Sequence, residues 1–248
     1  MNKDDVVGEA LKDTRKELEE VDREKHLVKA VKMLEEVEAS ISEKEERFKD
    51  WYSLHFPEMV EEVDNIQHLA KILGSEVEKS EIESFEEMAS KSTGAAITQK
   101  EKEIIESVIG NLESDLVLRE ELEAYIEDLV KEEMPNLSKL LGTFLAARMI
   151  ALAGGLDEMA KMPASTVQML GAEKALFRYL RGEGTPPKHG ILFEHEFVRP
   201  LPNNERGKMA RFMANKAVIA ARLDNYGDKH KGEELREETR EKFEEVKR

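Results

Sequence analysis

The sequence predicts an all-α fold: a long antiparallel coiled coil followed by a globular helical domain. Three observations carry this reading. Two extended stretches, from about Asp4 to Phe56 and from Gln99 onward, repeat apolar residues at steps of three and four with charges between them. An apolar run from Leu137 to Leu156 holds Gly142, Ala146, Ala147, Ala151 and Ala153, the small residues that let helices pack closely. Basic residues concentrate after Phe144, so an acidic arm is joined to a basic C-terminal module.

In the first stretch Val7, Leu11, Leu18, Val21, Val28, Val31, Ile41, Phe48 and Trp51 or Tyr52 track one apolar stripe. A helix of about fifty residues runs roughly 75 Å, more than a compact domain buries alone, so it needs a partner helix. Pro57 ends or bends it. Glu58 to Gly74 reads as a shorter helix and Glu81 to Lys91 as another, followed by a loop through STGAA. From Gln99 the stripe returns with Ile105, Ile109, Leu112, Leu116, Leu122, Ile126 and Leu129, which supplies the partner.

Pro135 opens the next unit, and a single apolar helix is expected from Leu137 to Ala153, stopped by Gly154 and Gly155. Pro163 suits the first turn of a further helix, which Gly171 breaks. A second helix follows from Ala172 to about Leu180, with Lys174, Arg178 and Arg181 on one face. GEGTPPKHG is a loop on its turn chemistry, ILFEHEFV a short extended piece, and RPLPNN a turn. Glu205 to Asp224 is a helix with Met209, Phe212, Met213, Ala217, Ile219, Ala220 and Leu223 inward, and Glu233 to Lys247 a charged helix. The expected domains are thus 1–133, an arm with a helical tip; 134–230, a globular binding domain; and 231–248, the charged helix.

The chain has 248 residues, 37% of them charged, with a formal net charge of −16. It has no cysteine, hence no disulfide and no thiolate site. Its first residues, MNKDDVVGEA, lack the basic start and apolar run of a signal peptide. Lys139 and Arg148 lie inside the most apolar stretch, which argues for a protein core and against a membrane span. The average acidity conceals an asymmetry. Between Phe144 and Lys231 there are 14 Lys and Arg against 9 Asp and Glu, while the remainder carries 24 against 45. An anionic partner is steered to the first of these regions.

Catalytic constellations are missing. There is no HExxH, no Glu-x-x-His pair of the di-iron type, no GxxxxGK[ST], no GxGxxG and no GxSxG. His195 stands between Glu194 and Glu196, yet on an extended strand the three would not converge. No metal or other cofactor is expected, and an enzyme is disfavoured. Nucleic-acid binding has better support. Lys174, Arg178, Arg181, Lys188, Arg206, Lys208, Arg211, Lys216 and Arg222 fall within one small helical unit, and His189 stands in a loop where it could stack on an unpaired base. Basic residues alone give salt-dependent phosphate attraction without specificity. A solvated basic face is the plain alternative.

Three segments together identify a family. PNLSKLLGTFLAARMIALAGGLDEMAKMPASTVQMLGAEKALFRYL, then GTPPKHGILF, then RGKMARFMANKAVIAARLDNY closely resemble the Nop domain. Upstream, RFKDWYSLHFPEM is similar to a segment of the same family's coiled-coil region. The family includes the archaeal Nop scaffold of box C/D small ribonucleoproteins, two eukaryotic nucleolar proteins and a pre-mRNA processing factor.

The resemblance implies a non-enzymatic scaffold that recognises a kink-turn RNA together with the small ribosomal-type protein seated on it, in a particle guiding 2′-O-methylation. It places the family's GAEK motif on Gly171, Ala172, Glu173 and Lys174, with the first three toward the protein partner. Its RNA-facing loop falls on Pro187, Lys188 and His189, and its basic helix on Arg206, Lys208, Arg211, Asn215, Lys216 and Arg222. Self-association through the coiled coil is implied as well. The long helix begins almost at Met1. The family's N-terminal α/β domain, which recruits the fibrillarin methyltransferase, is therefore not expected in this chain, and that puts methyltransferase recruitment in doubt. The implied location is cytoplasmic for an archaeal protein and nuclear or nucleolar for a eukaryotic one. The alternatives are a splicing-type Nop protein and a protein-interaction or dimerisation module that binds no RNA.

Overall fold

The computed structural model describes residues 23–247, which form helices and short 3-10 turns with no strand among them. The expected start of the first helix, with Val7, Leu11, Leu18 and Val21, lies outside the described residues. Two compact units are present, one of residues 32–125 and one of residues 23–31 with 126–247.

The first long helix, α1, spans Arg23–Tyr52. Its partner α5 spans Gln99–Glu133. They run antiparallel: Lys44 Nζ meets Asn111 Oδ1 at 2.5 Å and Asp115 Oδ2 at 2.6 Å, and Arg23 pairs with Glu132 and Glu133. The stripes read from the sequence supply the seam in the 32–125 unit, where Ile41, Phe48 and Tyr52 are buried with Ile105, Ile109, Leu112 and Leu116.

Between α1 and α5 the chain folds into a helical tip. The sequence pattern over Glu58–Gly74 is met by two helices, α2 (Pro57–Glu62) and α3 (Ile66–Leu73). Asn65 separates them, its side chain accepting from Gln67 N at 2.8 Å as an N-cap. A short α4 (Glu86–Ser90) precedes the loop back to α5. His55, buried, organises the tip: its Nδ1–H donates to Ala95 O at 2.6 Å and its Nε2 accepts from Lys79 N at 3.1 Å.

In the other unit the expected single apolar helix is two, α6 (Pro135–Leu141) and α7 (Thr143–Ala153), with axes bent by 116° at Gly142. Gly142 has φ +80°, a conformation open to glycine and strained for other residues, and periodicity does not report it. No single helix among the described residues is long and apolar enough to cross a membrane. Leu137, Leu140, Ala146, Ala147, Met149 and Ile150 of this bent pair are buried inside the unit.

Then come α8 (Leu156–Lys161), α9 (Ala164–Val167), α10 (Glu173–Leu180), α11 (Asn203–Tyr226) and α12 (Gly232–Lys247). The helix α11 is the spine. It packs against α6, α8, α9 and α12, and nine of its residues are buried, among them Met209, Ala210, Met213, Ala214 and Ala217. The small side chains let neighbouring helices approach closely. The ILFEHEFV segment, expected to be extended, is instead a 3-10 turn (Gly190–Glu194) followed by further turns. Gly190, at φ +48°, aims Ile191 N at Leu170 O (2.8 Å), which curls the segment onto the turn before α10.

Candidate nucleic-acid interface

The Gly171 junction folds as a tight turn. Pro163 O accepts from Thr166 N and Val167 N and so starts α9. The chain then turns to Gly171, at φ +77°. A Cβ at Gly171 would stand 3.1 Å from Ile191 Cβ, so a glycine permits the close approach of the 190s turn. Glu173 bends back, its Oε1 accepting from Gly171 N at 2.9 Å. This carboxylate therefore closes the turn at the start of α10. Lys174, one residue on, is exposed.

A second wall comes from residues 185–190. Gln168 Nε2 donates to Lys188 O at 2.6 Å and fixes this loop beside the junction. The Lys188 side chain lies along Gly207 of α11, within 3.5 Å of where a Cβ there would be. Between the walls is a groove of about 490 Å³ lined by Gly171, Ala172, Ala175, Pro187, Lys188 and His189, among others.

One edge of the loop is aromatic. The His189 ring stacks on Phe193 with centroids 4.9 Å apart and planes 27° from parallel. The Arg206 guanidinium also packs on the Phe193 ring, 5.1 Å from its centroid. Arg206 is held there by Asn203 Oδ1 (2.5 Å) and Arg199 O (3.2 Å). Sequence reasoning found His189 and Arg206 and missed Phe193, which joins them, and Gln168, which pins the loop. Phe193 sits in an apolar run that reads as core, and Gln168 carries no charge or motif signal.

His195 is a buried structural residue. Its Nδ1 accepts from Phe197 N (3.0 Å), so its Nε2 carries the proton and donates to Leu140 O (3.2 Å). Burial pushes its pKa below the ordinary histidine value and keeps the ring neutral. Its neighbours Glu194 and Glu196 pair instead with Arg148 and Arg236.

The other cations divide into two groups. On α10, none of whose residues is buried, Lys174 and Arg178 are exposed, as is Arg181 just after it, and among the described residues the three form no ion pair. On α11, Lys208, Arg211, Asn215 and Arg222 share the exposed side, at spacings of three, four and seven. Lys208 pairs with Glu205 at 3.0 Å, Asn215 donates to Arg211 O at 2.9 Å, and Arg222 Nε donates to Ala160 O at 2.9 Å. Lys216 is turned to the flank, packed over the Phe212 ring and paired with Glu238 of α12. Thus Gly171, Ala172, Lys188 and His189 meet at one groove and Arg206 stands beside it, whereas Lys216 is engaged with α12 and Arg222, exposed on the outer side of α11, gives its Nε to Ala160 O.

Chemically, the arrangement offers cations for phosphates and a histidine ring held at a groove edge, which suits an unpaired base. It also exposes apolar surface on α10, where Phe177 is 60% and Leu180 68% exposed. Among the described residues no three His, Asp or Glu side chains are grouped to hold a metal.

A family model described as Nop, snoRNA binding domain, fibrillarin, matches residues 33–245. An uncharacterized NOP5 family protein of Methanocaldococcus jannaschii is 36% identical over 240 residues, covering 91% of this chain and 58% of that protein. Nucleolar protein 56 of Homo sapiens is 35% identical over 238 residues, covering 88% of this chain and 40% of its own length. Nucleolar protein 58 of Eremothecium gossypii is 36% identical over 212 residues, 80% of this chain and 41% of that one. Among solved structures, a chain of a fibrillarin/Nop5p complex matches with a TM-score of 0.56 at 29% identity, covering 94% of this chain and 72% of its own. This chain thus spans between two fifths and three fifths of the curated relatives it matches.

Proposed function

The chain belongs to the Nop family, and from that premise we propose that its 126–247 unit binds a kink-turn RNA of the box C/D class jointly with the small ribosomal-type protein seated on it. It acts as a non-catalytic scaffold in a ribonucleoprotein guiding 2′-O-methylation. Such a particle resides in the nucleolus of a eukaryote or the cytoplasm of an archaeon.

One observation carries the reading: α10 presents cations that form no ion pair among the described residues, and unburied apolar side chains, on adjacent faces of one helix, beside the groove. Lys174 and Arg178 fall on one face and Phe177 and Leu180 on the next. The first face suits phosphates. The second suits a folded protein, because large apolar side chains left in water at one place mark a contact surface. Lys188 and His189 then probe the RNA loop, and Gly171 and Ala172 let the partner come close. Lys208, Arg211 and Arg222 extend the phosphate contacts along α11.

The test is a gel-shift series with kink-turn RNA, with and without the small protein. Replacing Lys174 and Arg178 by Ala should weaken the ternary band and lower its salt dependence by about 0.7 to 0.9 per lost contact. Replacing Phe177 and Leu180 by Ala should weaken it with the salt dependence unchanged. A ternary band indifferent to both pairs would overturn the assignment of α10.

A specific observation favours self-association by the other unit. Trp51, Leu54 and Ile104 are 40%, 69% and 48% exposed, and Trp51 lines a groove of about 360 Å³ with Phe48 and Val108. This patch is the proposed contact between copies. A Trp51→Glu protein should sediment as a monomer at concentrations where the parent does not, and equal sedimentation would reject the patch.

A further inference from the structure

The helix α12 sorts its charges by side. Glu234, Glu238, Glu241 and Glu245 follow one another at spacings of four, three and four, so they form one row along the helix. Its buried row, Leu235, Thr239 and Phe243, faces the core. Arg236 and Arg240 lie on the far side of that row from the carboxylates. Arg236 is turned toward α6 and its neighbours, where it donates to Lys139 O (3.0 Å) and Glu196 Oε1 (2.7 Å).

The carboxylate row faces α11, because Glu238 is the residue that pairs with Lys216. The two helices are joined by a connection of only five residues and lie side by side. In that arrangement Glu241 and Glu245 continue from Glu238 toward the start of α11, the end that carries Lys208. Two of the four carboxylates, on Glu234 and Glu245, are partnered at the surface by Lys231, just before α12, and by Lys242 within it. Three of the row are thus matched by lysines and Glu241 is left without one among the described residues, but α12 as a whole carries seven carboxylates against four cations, so the flank of α11 next to its exposed basic side is bordered by a net acidic helix.

We infer that α12 is an electrostatic rail that fixes the edge of the RNA footprint on α11, and that Lys216 is held by Glu238 outside that footprint. This inference rests on the RNA reading above. A phosphate backbone lying over Lys208, Arg211 and Arg222 gains nothing by spreading toward α12, because Lys216 is already matched by Glu238 and the helix beyond it is net acidic. The rail thereby selects the lateral position of the RNA on a helix whose basic residues alone have no preference along that direction.

The experiment uses the full chain with a box C/D kink-turn RNA carrying its small ribosomal-type protein, across a salt series, and compares four proteins. These are the parent, Lys216→Ala, the triple variant Glu238→Gln with Glu241→Gln and Glu245→Gln, and the triple variant combined with Lys216→Ala. Glu241 and Glu245 are exposed and Glu238 is partly so, and circular dichroism checks that each protein keeps its helices.

Lys216→Ala alone should leave affinity and salt slope unchanged. The triple variant should bind about two- to fivefold more tightly, with a slope steeper by about 0.7 to 0.9 as Lys216 becomes free to take a phosphate. Adding Lys216→Ala to it should remove that extra slope, and hydroxyl-radical footprinting should widen only in the triple variant. If Lys216→Ala in the parent already lowers the slope by one contact, Lys216 is an RNA ligand and the rail is wrong. If the triple variant binds with the parent's slope and footprint, the rail is wrong while the RNA reading stands. If no protein forms a ternary complex, the RNA reading fails and the rail fails with it.

Discussion

The helices α10 and α11 both carry basic residues at helical spacing, and from sequence they read alike. In the fold they are opposites. The spine α11 buries nine residues and has most of its cations tied to carboxylates, carbonyl groups or rings. The helix α10 buries none and leaves Lys174 and Arg178 without an ion pair among the described residues. One helix holds the unit together with binding residues along its outer edge. The other contributes little to the core, so its side chains are available to a partner. A basic stripe therefore carries different information according to what lies behind it.

The sharpest way to break this contrast is to truncate each helix's apolar residues. Met213→Ala on α11 should cost about 2–5 kcal/mol, since Met213 is fully buried and the cavity cannot collapse. Urea denaturation would read that loss as a lower midpoint. If it cost no more than a surface change, α11 would not be the spine.

Gly190→Ala comes next, at about 1–3 kcal/mol. It would need a left-handed backbone at a residue with a side chain, and its Cβ would fall 2.3 Å from Leu170 O. The same measurement applies, and the His189–Phe193 stack should be disturbed with it.

A smaller effect is expected from acid. Burial lowers the His195 pKa in the folded chain, so the unfolded chain takes up the proton first. The stability that the neutral ring contributes is present above about pH 6.5, the unfolded value, and is lost as the pH falls below it. Melting temperature should therefore decline from there downward in the parent, and His195→Asn should flatten that part of the profile while melting lower throughout.

The smallest effects sharpen the contrast from the other side. Phe177→Ala and Leu180→Ala should each change stability by no more than about 0.5 kcal/mol, despite removing large apolar groups. A loss approaching that of Met213→Ala would mean that α10 is part of the core after all.

How much of this was legible in advance follows the range of the interactions involved. The two long helices were readable because their stripes are local and repeat many times, and Ile105, Ile109, Leu112 and Leu116 do form the seam. The motif segments located the GAEK turn and the loop beside it. The bend at Gly142 was not readable, because a glycine in an apolar helix pattern does not announce its φ. ILFEHEFV reads as extended by itself, yet its hydrogen bonds go to Leu170 and to its own turns, so the local reading was overridden by a neighbour about twenty residues away. The same holds for the cations. Nothing near Lys216 or Arg222 in the sequence indicates that Glu238 and Ala160 O will engage them.

Asn136 and Asp224 give the unit a clasp. The Asp224 carboxylate accepts from Asn136 N and Leu137 N, both at 2.9 Å, while the Asn136 side chain donates to Asp228 O and accepts from Lys231 N. The place where the chain enters the helical unit is thereby fastened to the turn that leaves α11, closing nearly a hundred residues into a ring. Cutting the chain at the exposed 182–184 loop should therefore leave two pieces that stay together with the same helices, since the clasp holds the far ends of that segment at one place.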